Sequence, residues 1–191
     1  MSAILLTPPA LEPVTLADAR NFLRIDHDDD DDVIAALIAA ARVHVEAKTR
    51  RALTTQTWRL TRDVWPAAGV LPILPVPLRA VTAIGVYRDD GMLQMLDVDA
   101  FRIDIVAAPA MLMVERAVLP APGRMSGGIE IDIEVGYGDE PEDVPAPLRQ
   151  AIRLLVAHWY ENRRLVAASG EVASMPASVS SLIAPFRVLS L

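Results

Sequence analysis

The chain has 191 residues and a formal net charge of -7, and its 52% hydrophobic content against 23% charged residues is enough to build a packed core, which excludes wholesale disorder. Basic residues are scattered through an acidic chain and aromatics make up only 5%, which argues against both a phosphate-binding footprint and a base-stacking surface. The absence of cysteine excludes disulfides and thiolate metal sites. Residues 1–13 lack a basic start and no apolar run reaches the roughly 18 residues needed to span a bilayer, so a soluble, unsecreted protein without membrane contact is expected.

In chain order, an apolar leader broken by prolines gives way to Thr15-Leu16-Ala17-Asp18, which has the form of a capping box. It predicts a short helix to about Ile25, with Leu16, Ala19, Phe22 and Leu23 on one packing face. The acidic run Asp26-His27-Asp28-Asp29-Asp30-Asp31-Asp32 then opens a second helix over residues 32–49, striped by Val33, Ile34, Leu37, Ile38, Ala41 and Val45. Carboxylates at its start and Lys48, Arg50 and Arg51 near its end complement the helix dipole. Two amphipathic helices with a polar connection predict a hairpin whose stripes meet a third helix.

From Thr54 the hydrophobic period changes to two. Trp58, Leu60 and Val64 alternate with Thr57, Arg59, Thr61 and Asp63, as a half-buried strand requires. Residues 65–78 contain Pro66, Pro72, Pro75 and Pro77, which suits an edge strand or an irregular connection because proline lacks a ladder amide. Residues 81–87 and 92–96 flank Arg88-Asp89-Asp90-Gly91 and predict a tight hairpin. Phe101, Ile103 and Ile105 alternate with Arg102 and Asp104, and residues 111–114 suit a further short strand. The cleanest alternation sets Ile129, Ile131, Ile133, Val135 and Tyr137 against Glu130, Asp132 and Glu134.

Glycines and prolines over residues 136–147 end the sheet and lead into a helix over residues 146–164, with Leu148, Ala151, Ile152, Leu155 and Trp159 as its buried stripe. The expected class is α+β: a small helical bundle of two N-terminal helices and a long C-terminal helix, an inserted antiparallel β-sheet domain, and an extended tail. The boundaries follow as 1–53 for the helical hairpin, 54–140 for the β domain, 141–166 for the completing helix, and 167–191 for a flexible tail with an apolar docking segment. Such a tail either folds back or docks on a partner.

Few constellations could carry chemistry. The acidic run has the alternation of a calcium loop in Asp28, Asp30 and Asp32, but Val33 stands where the loop glycine belongs and Ala39 where the bidentate glutamate belongs. A solvated helix start explains it better. His27, His44 and His158 share no metal-binding spacing, and His158 with Glu161 reads as a helix-surface contact. No nucleophile elbow, phosphate-binding loop or dinucleotide fingerprint is present, so no catalytic residue, metal or cofactor is expected. A small metal-dependent hydrolase built on the acidic run is the weaker rival reading.

Several blocks are colinear with a known family. They are Pro13-Val14-Thr15-Leu16-Ala17-Asp18-Ala19-Arg20, Leu23-Arg24-Ile25-Asp26-His27-Asp28 and Leu37-Ile38-Ala39-Ala40-Ala41-Arg42, followed by residues 49–58, Gly136-Tyr137-Gly138, residues 144–152, residues 158–163 and Leu182-Ile183-Ala184-Pro185-Phe186-Arg187. This order resembles phage head-tail connector (adaptor) proteins of the gp6-like and phiE125 gp8-like families. The resemblance implies a structural, non-enzymatic adaptor of a phage, prophage or gene transfer agent, made in the bacterial cytoplasm and housed in the particle neck. Lys48 as the sole lysine suits a GC-rich host.

The same resemblance implies a dodecameric ring, monomeric when isolated, beneath the portal protein. It would receive a tail-side stopper or tail-terminator protein while DNA passes through in transit, and another neck or tail-completion role is the near alternative. Two expectations about residues follow. Asp28, Asp29, Asp30, Asp31 and Asp32 face the channel, and Leu182, Ile183, Pro185, Phe186, Arg187 and Val188 form a portal-binding tail.

Overall fold

The structure, a computed structural model, describes residues 2–113, 119–162 and 176–189. It is α+β and divides into two compact units, one of residues 1–10 with 55–137 and the other of residues 11–54 with 138–191. The expected spacer at residues 167–175 and the last turn expected of the long helix lie outside the described residues.

The helical unit begins with α1 (Leu16–Leu23), where the Thr15 side chain accepts from the Asp18 amide at 3.1 Å. The Asp18 carboxylate does not close the expected box but reaches Arg153 at 3.4 Å. α2 (Asp31–Thr49) buries Ile34, Ile38, Ala41, Val45 and Thr49, at spacings of three and four that place them on one side. α3 (Ala146–Glu161) buries Leu148, Ala151, Ile152, Leu155 and Val156, and α1, α2 and α3 pack on one another as the stripes require. Three expected stripe members differ: Val33 and Phe22 lie exposed, and Trp159 is half-exposed with its ring edge-on to His44 at 5.9 Å. Each sits at the margin of its apolar arc, and periodicity alone does not say how wide an arc the neighbouring helices cover.

The sheet unit holds a five-stranded and a three-stranded antiparallel sheet. Its strands are β1 (Ser2–Thr7), β2 (Gln56–Arg62), β3 (Val70–Ile73), β4 (Leu78–Tyr87), β5 (Leu93–Leu96), β6 (Arg102–Asp104), β7 (Ala110–Met113) and β8 (Ile129–Val135). The larger sheet has the order β1-β2-β8-β4-β5 and the smaller one β3-β7-β6. β8 is central: Ile129, Ile131, Ile133 and Val135 are fully buried on one face, while Glu130, Asp132 and Glu134 sit half-buried on the other. The β4–β5 hairpin turns through Gly91 at φ +80, with the Gly91 amide donating to the Arg88 carbonyl at 2.9 Å, the left-handed position that Asp-Gly signals. Pro72 lies in β3 on an edge of the smaller sheet, the placement that a missing amide permits.

Two expectations about this unit are corrected. Residues 2–7 do not belong with the helical hairpin but form β1, paired antiparallel to β2 from Ser2 opposite Thr61 to Thr7 opposite Thr57. The apolar leader carries no alternation to mark it as a strand, and its partner lies some fifty residues away. The alternations drawn through Val64 and Ile105 also run too far, since β2 ends at Arg62 and β6 at Asp104 and both residues are exposed beyond them.

Candidate assembly surfaces

The acidic run forms the start of α2 in the helical unit and is not uniformly free. Asp31 pairs with Arg20 at 3.2 Å, Asp30 accepts a hydrogen bond from the Tyr160 hydroxyl, and Asp29 lies 3.7 Å from His27. Asp28, Asp29 and Asp32 remain exposed. Three of the five candidate channel carboxylates are thus open to water, whereas Asp30 and Asp31 tie α2 to α3 and α1. Among the described residues no group of His, Asp and Glu is arranged to hold a metal ion.

The acidic row of β8, in the sheet unit, is compensated. Arg59 on β2 lies opposite Asp132 and meets its carboxylate through two nitrogens at 2.7 and 2.8 Å, and it reaches Glu130 at 3.1 Å. Tyr87 donates to Glu130 at 3.1 Å, and Arg79 pairs with Glu134 at 3.0 Å. The hydrogen bond that Arg59 donates to Asp132, ahead of the charge of Asp132 and that of Glu130, raises the Arg59 pKa above its ordinary value, so the guanidinium stays charged. A bidentate fork of this kind is directional as well as electrostatic, and it holds two neighbouring strands in register. In sequence this row reads as an acidic face; in the fold it is a ladder of alternating charge.

The C-terminal segment folds back within the helical unit. α4 (Ala177–Ile183) packs against α3 and α2 and leads into a short 3-10 turn (Ala184–Phe186). Ile183 and Val188 are buried there. The Val188 amide donates to the Thr49 carbonyl at 3.0 Å, and Arg51 Nε donates to the Phe186 carbonyl at 2.6 Å. Two of the six expected portal-binding residues therefore serve as anchors into the chain's own core. The sequence offers the apolar residues but not the surface they choose, which depends on the end of α2 far back along the chain. Pro185 and Arg187 are exposed or nearly so, with Leu182 and Phe186 also reaching the surface.

Among the described residues of this unit, none are arranged as a catalytic centre. An open groove of about 510 Å³ is lined by Leu11, Val14, Leu16, Ile38 and Pro141 and rimmed by Glu12, Glu140 and Glu142; its one hydroxyl, on Thr15, caps α1 and has no imidazole beside it on the walls. Glu12 is itself held by Arg42 at 2.8 Å. His158 faces Asn162 at 3.4 Å, not the expected Glu161, which fits a helix-surface role. Burial, and after it the charge of Lys48, lowers the pKa of His44, whose Nε2 has no hydrogen-bond partner among the described residues. No helix of the described residues is long and apolar enough to cross a membrane.

Comparison with known proteins gives these surfaces a context. Residues 13–84 match the family model of phage gp6-like head-tail connector proteins. The whole chain is similar to a chain in the neck of an empty gene transfer agent (GTA) particle computed with C6 symmetry, at 25% identity and a TM-score of 0.84, covering 100% of this chain and 97% of that one. A chain in the virion of a native GTA particle shares the fold at 24% identity and a TM-score of 0.84, with the same 100% and 97% coverage. A chain in the neck of a native GTA particle computed with C12 symmetry is similar at 26% identity and a TM-score of 0.79, again over 100% and 97%. No curated protein matches the chain in sequence.

Proposed function

We propose that this chain, a structural head-tail connector protein that is gp6-like over residues 13–84, assembles as a ring of twelve in the particle neck, beneath the portal, and joins the DNA-filled capsid to the tail. The observation that carries this reading is the full-length similarity to a chain in the neck of a native GTA particle computed with C12 symmetry, at 26% identity. A head-to-tail contact repeated around an axis closes into such a ring without any second kind of subunit. A stopper or tail-terminator protein occupies the tail-side face.

The electrostatics support a channel role. A net charge of -7 keeps each copy from adhering to phosphate, and the exposed carboxylates of Asp28, Asp29 and Asp32 are the residues suited to line the DNA path. Asp30 and Asp31 stand beside them but are engaged by Tyr160 and Arg20. On the portal side, Leu182, Pro185, Phe186 and Arg187 offer outward contacts from a segment that Ile183 and Val188 hold in place. An anchored segment loses less conformational entropy on docking than a free tail.

Co-sedimentation of the purified chain with assembled portal rings tests this directly, comparing the full chain with Pro185→Asp/Arg187→Glu. Binding by the full chain that falls at least tenfold in the variant supports a portal adaptor docked through this segment. Equal binding by both moves the portal contact elsewhere on the chain. No binding by either would favour a tail-side neck or tail-completion role instead.

A further inference from the structure

The two sheets treat their edges differently. An edge strand offers a row of unpaired amides and carbonyls, and a chain meant to remain single blunts it with charge or proline. The smaller sheet does so: its edge strand β3 carries Pro72, and its other edge strand β6 carries Arg102 and Asp104. The larger sheet does not. β1 reads Ser-Ala-Ile-Leu-Leu-Thr and β5 reads Leu-Gln-Met-Leu, with neither charge nor proline in either.

Both bare edges also expose apolar side chains. On β1, Ile4 is 52%, Leu5 41% and Leu6 43% exposed; on β5, Leu93 is 39% and Met95 58% exposed. Ile4 and Leu5 point to opposite faces of the sheet, so β1 is uncovered on both sides as well as along its edge. One exposed leucine needs no explanation, but two such strands at opposite ends of one sheet do.

Resting on the ring reading above, we infer that β1 of one copy pairs with β5 of the next, so that the five-stranded sheets join edge to edge around the ring. The occupant of each edge is a second copy because the two edges are distinct surfaces at opposite ends of one rigid sheet, as a head-to-tail contact demands. Pairing β1 with β1 would be self-complementary and would stop at a dimer.

Strand directions fix the type of ladder. β1 runs against β2, β2 against β8, β8 against β4 and β4 against β5, so β1 and β5 run the same way. Neighbouring copies in a ring of twelve are turned by only about 30°, so the two strands keep the same sense. The contact is therefore a parallel ladder, limited by the four residues of β5.

The chain has no cysteine, so introduced thiols report alone. The experiment places Ile4→Cys and Met95→Cys, which lie on the same face of the sheet as Arg59 and Glu130, in one chain, assembles it on portal rings, and treats it with a thiol–thiol reagent that spans the roughly 4.8 Å between strands plus one residue of register. The expected result is a ladder of covalent multimers of the chain, absent from either single variant. In parallel, Ile4→Lys/Leu6→Lys and Met95→Lys are compared with the unaltered chain for ring formation by electron microscopy. These positions are half-exposed, so near-native thermal unfolding of each variant verifies its fold, and at least a tenfold loss of rings is expected. Intact rings in the lysine variants, or a cross-link from the thiol introduced on β1 to the portal and not to a second copy, would overturn the edge pairing while leaving the ring reading standing. Failure of the unaltered chain to form rings would overturn both.

Discussion

Two acidic stretches that look alike in sequence behave differently in the fold. Glu130, Asp132 and Glu134 on β8 face Arg59 and Arg79 across neighbouring strands, so most of their charge is offset and their side chains are held. Asp28, Asp29 and Asp32 at the start of α2 remain exposed, with the helix dipole and a neighbouring imidazole as their main favourable fields. The lesson is that a count of carboxylates does not measure surface potential. A strand places cationic partners opposite by register, whereas a helix start projects its side chains into water. The paired row is therefore structural, whereas the open run carries the role toward DNA proposed above.

The largest expected effect breaks the paired row. Arg59→Ala strands Asp132 and Glu130, whose side chains are only 17% and 16% exposed, and after discounting for solvent screening it should cost about 1–2 kcal/mol in urea unfolding. Adding Asp132→Ala should recover part of that loss. A single-variant cost no larger than a few tenths of a kcal/mol would erase the distinction between the two stretches.

A smaller effect is expected where the run meets Arg20. Arg20→Ala removes the bridge to Asp31, which is about a quarter exposed on each side, and should cost roughly 0.5 kcal/mol, diminishing as salt is raised. A cost equal to that of Arg59→Ala would mean that the run is as structural as the row.

The smallest stability effect belongs to Asp28→Asn/Asp29→Asn/Asp32→Asn, expected to stay within about 0.5 kcal/mol of the unaltered chain. The same variant should measurably slow DNA release from assembled particles, because lost repulsion lets phosphate dwell in the channel. Unchanged DNA transfer with intact particles would remove the run from the channel wall.

Much of this architecture was legible locally. The capping Thr15, the stripe of Ile34, Ile38, Ala41 and Val45, the Asp90-Gly91 turn and the strict alternation of β8 are all carried by residues within a few positions of one another, so each declares its own element. The acidic run was equally visible as a feature, because it is contiguous. Residues 13–84 also match the family model of phage gp6-like head-tail connector proteins.

Tertiary structure alone decided the rest, and in each case the deciding contact is distant in the chain. Ser2–Thr7 becomes a strand only because β2 offers it an edge. Asp132 meets Arg59 across 73 positions of sequence, and Phe186 meets Arg51 across 135. Local periodicity declares which face of an element is apolar, but strand partners, register and the docking of a terminal segment arise from burial shared among distant residues, which no window of sequence contains.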